Sequence, residues 1–257
     1  MRRMRLDTDD PSVLGRVFRI MGAFSAEESS LSLGDLSERT GLPRSTVHRV
    51  AGQLTALRAL ERSGDRFSLG IRLFEMGQLV PHQGLALREV AVPFMEDLYE
   101  STHEIVNLAV LDDLDVVFIE KISGHRRILI PTRLGTRVRT HCSGLGKALL
   151  AFSDEEVWDR VVARGLQPNT HHTITDPGAL RRELRKVRRE SVAVDREEYR
   201  LGVICVAAPI FRHETLVAAI SLTGPIERVR PERIASAVRT AALGISRMLS
   251  QSRASLN

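Results

Sequence analysis

Residues 33–52 read LGDLSERTGLPRSTVHRVAG, and their spacing predicts a helix over 33–40, a tight turn and a second helix over 43–59. Leu36 and Thr40 lie one helical turn apart, so both would face a third element. Gly41 stands where the first helix must end, because a helix end often needs the positive φ that glycine adopts at little cost. Pro43 suits the first turn of the next helix, where its missing N–H removes no hydrogen bond.

The second of these helices has a buried stripe and a polar face. Val47, Val50 and Leu54 repeat at spacings of three and four residues, which indicates the stripe. Arginine can read guanine, glutamine can read adenine, and hydroxyl groups suit phosphate oxygens, so the polar face is predicted to bind double-stranded DNA. Its residues are Arg44, Ser45, Thr46, His48, Arg49 and Gln53. The alternative is a helical hairpin with a solvated outer face, since this spacing alone also occurs in other proteins.

The segments on either side complete a small domain. Residues 12–26 predict a first helix, with Ser12 as N-cap and an apolar stripe on one face. That stripe consists of Val13, Val17, Ile20, Met21 and Phe24. Residues 60–70, LERSGDRFSLG, predict two short strands joined by a turn at 63–65. Three helices and a hairpin make a winged helix-turn-helix domain over 8–70, in which Arg62 and Arg66 would either reach DNA phosphates or remain solvated.

Composition and charge agree with a nucleic-acid partner but do not require one. The chain has 257 residues, enough for two domains, and a formal net charge of +5. Within 39–66, six arginines stand against Glu61 and Asp65, which gives +4 over 28 residues. Two cysteines argue against a disulfide scaffold, and no apolar run approaches the roughly 20 residues of a membrane span. We therefore expect a cytoplasmic protein with no membrane partner.

Residues 71–100 have helical periodicity, broken near 81–82 and again at Pro93. A helix that leaves a DNA-binding domain would serve as a linker and dimer contact. The alternative is a core helix of the following domain, and different halves could fulfil the two roles.

From residue 104 the pattern changes to β-branched strands, and the second domain is predicted over 85–252. The predicted strands are 104–110, 115–122, 126–132, 203–211 and 215–224, with a turn at Gly135. Residues 141–152 are predicted as a glycine-bearing loop that runs into a helix. The other predicted helices are 154–165, 175–190, and a last helix from Pro231 to 252 whose stripe is Ile234, Val238, Ala241, Ile245 and Met248. The fold class is therefore α+β, with a mostly antiparallel sheet that could hold a small molecule between sheet and loops.

Six motifs, in order along the chain, carry a resemblance to a known family. They are GLPRSTVHRV (41–50), FSLG (67–70), HCSGLGKALLA (141–151), TITDPGAL (173–180), AVDREEYRLGVICVAAPI (193–210) and AISLTGP (219–225). Together they resemble the IclR family of bacterial transcriptional regulators. The resemblance implies a winged-helix DNA-binding domain and a GAF-like effector-binding domain. It also implies homodimers, often paired into tetramers, on near-palindromic operators. The expected function is a repressor of catabolic genes controlled by a small organic or aromatic acid.

The resemblance also implies an effector site. Its loop at the start of a helix would offer backbone N–H groups to a carboxylate, while an acid, a thiol, two hydroxyls and an apolar wall would surround the ligand. The corresponding residues are Ser143, Gly144, Leu145, Asp195, Cys205, Ser221, Thr223, Ile128 and Ile130. The structural alternative makes Gly144 a turn, Cys205 a small buried hydrophobe, and Ser221 and Thr223 ordinary strand residues.

Enzyme chemistry has little support, so we expect a protein that is not an enzyme and needs no cofactor or metal. Cys142 follows His141, but adjacent side chains usually point apart and so do not form a nucleophile–base pair. A zinc site built from Cys142, Cys205 and histidines lacks any CxxC or HxxxH spacing. GLGKA lacks the spacing of a phosphate-binding loop. The remaining alternatives are a small-molecule enzyme with an accessory winged helix and a protein-interaction adaptor.

Overall fold

The computed structural model describes residues 10–25, 28–79, 84–124 and 132–251, and the chain divides into two compact units, 1–81 and 82–257. The described elements of the first unit are α1 (Val13–Met21), β1 (Leu31–Ser32), α2 (Leu33–Thr40), α3 (Arg44–Ala56), β2 (Leu60–Ser63), β3 (Arg66–Leu69) and α4 (Ile71–Gln78). The three strands form an antiparallel sheet in the order β1-β3-β2. Three helices and a hairpin therefore form the predicted winged helix-turn-helix.

The turn between α2 and α3 has the conformation that its sequence predicts. Gly41 has a φ of +68°, and its N–H donates to the carbonyl of Ser37 at 2.9 Å. Ser37 Oγ in turn donates to the carbonyl of Leu42 at 2.7 Å. Leu42 is buried in the core together with Leu36 and the α3 stripe. The small side chain of Ser37 thus joins the helix end to the residue that fills the gap between the helices.

Several details of the first unit differ from the prediction. Val13 is 52% exposed, so it does not belong to the buried stripe of α1, in which Ile20 is fully buried. Pro43 is the N-cap of α3 and stands one residue before the first turn, and α3 ends at Ala56, three residues before its predicted end at 59. The hairpin turn consists of residues 64–65 alone, and Gly64 provides its positive φ. The strand β1 was not predicted, because two residues give no periodicity.

The second unit is built on one six-stranded antiparallel sheet. Its strands are β4 (Ile105–Asp112), β5 (Asp115–Ile122), β6 (Arg137–Arg139), β7 (Ala193–Arg196), β8 (Val203–Arg212) and β9 (Thr215–Pro225). They lie in the order β6-β5-β4-β9-β8-β7. The described helices are α5 (Gly84–Thr102), α6 (Gly144–Leu150), α7 (Glu155–Ala163), α8 (Pro177–Glu190) and α9 (Pro231–Gln251), with a 3-10 turn over Thr140–Cys142.

Helices cover both faces of this sheet. On one face α5 and α9 pack against side chains such as Ile204 and Val206. On the other face α6, α7 and α8 pack against side chains such as Ala207 and Ala219. Successive strand residues point to opposite faces, so residues two apart along a strand share a face. The effector residues predicted on β7, β8 and β9 can therefore be assigned to one face from their spacing.

Two further predictions for the second unit need correction. Pro93 does not end a helix, since α5 runs through it. Proline removes the hydrogen bond to the carbonyl four residues earlier, and here both Pro93 and Glu89 are exposed, so water can reach that carbonyl. Met248 is 47% exposed, and Leu249 is the buried residue of α9 at this point. The strand predicted at 126–132 falls almost entirely outside the described residues. Among the helices described, none is both long and apolar enough to cross a lipid bilayer.

Candidate DNA-binding and effector sites

The polar face of α3 has the exposure that its sequence predicts, with one exception. Arg44, Ser45, His48, Arg49 and Gln53 are exposed, whereas Thr46 is half-buried. Arg49 donates weakly to Gln53 Oε1 at 3.4 Å. Arg44 forms no side-chain hydrogen bond or ion pair with any residue that the structure describes. The helix also begins without a side-chain cap, so its first N–H groups are available to an incoming acceptor.

The two hairpin arginines differ in their contacts. Arg62 donates to the carbonyl of Gly64 at 2.9 Å, and its guanidinium lies 5.6 Å from the centre of the Phe67 ring. Arg66 donates to the carbonyl of Ser30 at 2.6 Å and lies 3.8 Å from a carboxylate oxygen of Asp35. Both guanidinium groups therefore have partners within the first unit, and that of Arg66 has a carboxylate nearby as well.

The strand register brings the predicted effector residues onto one face of the large sheet. One row across the sheet consists of Ile105, Thr223, Cys205 and Asp195, which pair in succession from β4 to β7. The next row on the same face consists of Lys121, Asn107, Ser221, Ala207 and Ala193, which pair in succession from β5 to β7. The pattern indicates that the acid, the thiol and both hydroxyls belong to one polar surface beneath α6.

The loop before α6 packs directly on this surface. A Cβ atom on Gly144 would lie 3.0 Å from Cys205 Sγ and 3.1 Å from its carbonyl oxygen, so glycine permits this close approach. Ser143 Oγ accepts a hydrogen bond from the Gly146 N–H at 3.1 Å. Ser143, Gly144 and Leu145 are all buried. The structure therefore brings these three residues together with Cys205, whereas Ile128 and Ile130 lie outside the described residues.

Two ionisable groups of this surface have perturbed pKa values. Burial, and then the nearby charge of Glu198, raises the pKa of Asp195 to about 7, although Lys147 and the N–H groups of Glu198 and Tyr199 oppose this. Those two N–H groups donate to Asp195 Oδ1 at 2.7 and 3.3 Å. Burial, and then the charge of Asp195, raises the pKa of Cys205 to about 11. The thiol is therefore held protonated, and Asp195 can change its charge near neutral pH.

The sequence interpretation missed a buried lysine on α6, next to this surface. Lys147 of α6 is 0% exposed, and its Nζ donates to Glu198 Oε1 at 2.5 Å and to the carbonyl of Val194 at 2.6 Å. A second carboxylate, that of Glu183, lies 3.5 Å from the same nitrogen. The signal in the sequence was a single lysine within the apolar helix GLGKALL, since buried lysines are rare without partners.

The sequence interpretation also missed Asn107, a single amide within the apolar strand IVNLAV. Asn107 is 2% exposed, and its Nδ2 lies 3.5 Å from Thr223 Oγ1. Asn107 Oδ1 is buried and has no hydrogen-bond partner within the described part of the chain, while the buried Ser221 hydroxyl has the weakly accepting Cys205 thiol beside it. Nearly all buried polar groups in proteins have a partner, so Asn107 Oδ1 marks a place where a bound molecule would complete the structure.

The enzyme and metal alternatives find no support in the geometry of the described residues. Burial raises the pKa of Cys142 to about 12, so its thiol stays protonated and is a poor nucleophile. The adjacent His141 does not serve it as a base, because His141 Nε2 lies 3.0 Å from the carbonyl of Gln167. Among residues 10–25, 28–79, 84–124 and 132–251, no three His, Cys, Asp or Glu side chains cluster as metal ligands would.

Comparison with known proteins identifies both units. The domain family described as the IclR helix-turn-helix domain matches residues 13–64. The family described as bacterial transcriptional regulator IclR C-terminal matches residues 82–247. The chain is 31% identical over 227 residues to the transcriptional repressor IclR of Escherichia coli, covering 86% of this chain and 82% of the relative.

Solved structures agree with this result. An IclR homologue from Microbacterium hydrocarbonoxydans, crystallised with 4-hydroxybenzoate, superimposes with a TM-score of 0.86 and is 33% identical, covering 93% of this chain and 99% of the other. The Thermotoga maritima IclR structure gives a TM-score of 0.75 at 30% identity, covering 92% and 98% of the two chains. The winged helix-turn-helix, the six-stranded sheet and both family matches thus agree, and the chain belongs to the IclR family of bacterial transcriptional regulators as a ligand-responsive DNA-binding protein.

Proposed function

We propose that this chain represses its target genes as a homodimer that binds operator DNA through α3 and responds to a small organic acid bound in the second unit. The observation that carries the proposal is the exposed polar face of α3 on a helix whose opposite side is buried in the first unit. A recognition helix needs this combination, because the scaffold holds it while its free side chains enter the major groove.

Individual residues of this interface have different proposed roles. Arg44 and Arg49 contact bases or phosphates, while Ser45, Thr46 and the N-terminus of α3 contact phosphate oxygens. His48 and Gln53 are secondary candidates for base contacts. Arg62 extends the interface from the hairpin tip to a neighbouring phosphate. Arg66 keeps a minor role, since its guanidinium is hydrogen-bonded to Ser30.

The effector is proposed to bind between α6 and the polar face of the large sheet. Thr223 and Ser221 offer hydroxyl groups there, and the backbone of Gly144 and Leu145 adjoins them across Cys205. Asp195 borders the site, and Ile128 and Ile130 remain its predicted apolar wall. Crystallisation of the Microbacterium homologue with 4-hydroxybenzoate supports an aromatic acid as the first ligand to test.

Dimerisation is proposed through apolar side chains that the first unit leaves exposed. Val13, Leu14 and Phe18 of α1 are about half or more exposed, at 52%, 69% and 49%. Phe74 and Leu79 near α4 are also exposed. Apolar patches of this kind mark protein interfaces. A two-fold dimer would place two α3 helices about one DNA turn apart or a multiple of it, and pairs of dimers could occupy longer operators.

Two further expectations accompany the proposal. The protein is not an enzyme, which the protonated state of Cys142 supports. It acts in the cytoplasm, where a bacterial regulator meets its DNA. Effector binding would change the relative populations of DNA-binding and non-binding dimers.

The proposal is tested by titrating the protein with the DNA beside its own gene, over a salt series, with and without small carboxylic acids. We expect specific binding that weakens steeply as salt rises, because each neutralised phosphate releases counterions. One acid should shift the affinity by at least about fivefold. Equal affinity for operator and unrelated DNA would contradict the DNA-binding half, and unchanged affinity with every acid would contradict the effector half.

A further inference from the structure

Asn107 lies at the centre of the polar face of the large sheet. In the register of the strands it stands between Lys121 on β5 and Ser221 on β9, and its amide nitrogen points toward Thr223 Oγ1 at 3.5 Å. Its other amide atom, Oδ1, has no hydrogen-bond partner among the described residues. The side chain is 2% exposed, so bulk water does not reach it. A buried acceptor therefore faces the proposed effector site without a donor.

The neighbouring Ser221 hydroxyl complements this acceptor. Ser221 is 0% exposed, pairs directly with Asn107 across β4 and β9, and has the Cys205 thiol, a weak acceptor, beside its hydroxyl. An amide oxygen only accepts a hydrogen bond, whereas a serine hydroxyl can also donate one. A single ligand group that donates to Asn107 Oδ1 and accepts from Ser221 Oγ would satisfy both atoms. A hydroxyl group has this pair of capacities, while an ionised carboxylate only accepts.

We propose that Asn107 and Ser221 form a hydroxyl-binding subsite, so that the effector is a hydroxylated carboxylic acid. The proposal rests on the effector site proposed above and adds a specificity-determining residue to it. Asn107 is held for this role by its contact with Thr223, which fixes which amide atom faces the ligand. An acid of similar size that lacks the hydroxyl leaves Asn107 Oδ1 without a donor and Ser221 with the weak thiol alone, so it binds less tightly.

A second carboxylate is the competing ligand group. Lys121 is paired with Asn107 on the same face, and its ammonium donates to the carbonyl of Thr132 at 2.7 Å. A dicarboxylic acid would be attracted by this cation, but it would direct an oxygen without a proton at Asn107 Oδ1. Comparing a hydroxy acid with a dicarboxylic acid of similar length therefore distinguishes a surface that binds a hydroxyl group from one that binds a second carboxylate.

The test measures the binding of ligand pairs to the full chain by calorimetry. The aromatic set is 4-hydroxybenzoate, benzoate and terephthalate, and the aliphatic pair is glycolate and acetate. If the aromatic acids bind, we expect the wild type to bind 4-hydroxybenzoate about tenfold or more tightly than benzoate. If the aliphatic acids bind instead, we expect the same preference for glycolate over acetate. Asn107→Leu should reduce this preference to less than about threefold, because it removes the acceptor for the ligand hydroxyl.

Ser221→Ala serves as the second variant, since it removes the donor with a smaller change in volume. It should also reduce the preference, and circular dichroism of both variants checks that they are folded. If the acids bind without preference for the hydroxyl, or if terephthalate binds most tightly, the hydroxyl subsite is excluded and the proposed effector site stands. If a preference survives in both folded variants, Asn107 and Ser221 are not its cause. If no acid binds the wild type, the effector site and the subsite are both excluded.

Discussion

At the scale of single residues, Asp195 and Lys147 show how this unit holds buried ionisable groups next to the proposed effector site. Lys147 is paired with Glu198, and Asp195 accepts two backbone N–H groups instead of a cation. The desolvation of Asp195 outweighs these hydrogen bonds, so burial raises the pKa of its carboxyl group to about 7. An anionic effector that binds nearby would raise this pKa further and favour the protonated acid.

The raised pKa of Asp195 predicts how stability depends on pH. In the unfolded chain this carboxyl group loses its proton near its ordinary pKa of 3.8, and in the folded protein only near 7. The contribution of this carboxyl group to the free energy of unfolding is therefore fully present below pH 3.8 and falls as the pH rises toward 7. Asp195→Asn removes this loss. Within this window, the free energy of unfolding of the variant minus that of the wild type should increase by at most about 1.4 kcal/mol for each pH unit.

Urea unfolding at several pH values between 4.5 and 8 measures this difference. Trp158, the single tryptophan of the chain, packs against the core beneath α6 and α8 and reports on the second unit. Asp113→Asn is the control, because Asp113 is an exposed acid in the turn between β4 and β5. If the difference between Asp195→Asn and the wild type does not change with pH, Asp195 is ionised throughout the range.

The site residues that the sequence alone identified lie in local motifs. The site residues that it missed have their partners on distant parts of the chain. Cys205, Ser221 and Thr223 were assigned through motifs of a known family, and their spacing of two places Ser221 and Thr223 on one face. Asn107 has its neighbours on β5 and β9, and the register that pairs it with Ser221 cannot be read from one strand. Lys147 likewise depends on Glu198, 51 residues away. Long-range pairing therefore limited the prediction of the site.

At the scale of elements, we expect α3 and the β2–β3 hairpin to make unequal contributions to DNA binding. Arg44 is exposed at the first turn of α3 without a partner among the described residues, whereas Arg66 is fixed by Ser30 and Asp35. An arginine that is already hydrogen-bonded must give up those bonds before it can bind a phosphate. The same charge is therefore expected to contribute more to binding from α3 than from this position of the hairpin.

Arg44→Ala should weaken specific operator binding by about 1–3 kcal/mol, because a base or strong phosphate contact is lost. Arg66→Ala should weaken it less. Titrations with a labelled operator, repeated at several salt concentrations, measure both losses. Arg182→Ala is a matched control, since Arg182 is an exposed arginine on α8 of the second unit. Equal losses for Arg44→Ala and Arg182→Ala would exclude α3 as the recognition helix.

Elements with strong local signals were predicted well. The spacing around Gly41 located α2 correctly at both ends, and the start of α9 at Pro231 was also correct. The short strands β1, β6 and β7 were missed because two to four residues show no periodicity and depend on their neighbours in the sheet. Pro93 led to the opposite error, a predicted helix break that does not occur. Packing of Leu87, Ala91 and Met95 in the core outweighs the one hydrogen bond that proline removes.

At the scale of the whole molecule, each unit has a hydrophobic core of its own, and the first is the smaller. The first unit nevertheless leaves large apolar side chains of α1 exposed, although Ile20 on the same helix is fully buried. A helix that is apolar on two sides usually has two partners. One partner is the core around α2 and α3, and a second copy of the chain is the proposed other one.

Leu14→Glu should therefore shift the protein from dimer toward monomer. Leu14 is 69% exposed, so the charge would be tolerated in a monomer but would have to be desolvated at a dimer interface. We expect the dimer dissociation constant to rise by at least about tenfold, which corresponds to 1.4 kcal/mol, and operator affinity to fall with it. Light scattering over a concentration series measures the mass, with Leu134→Glu as control because Leu134 is 54% exposed in a turn of the second unit. A dimer that survives Leu14→Glu at the same concentrations would place the interface elsewhere on the chain.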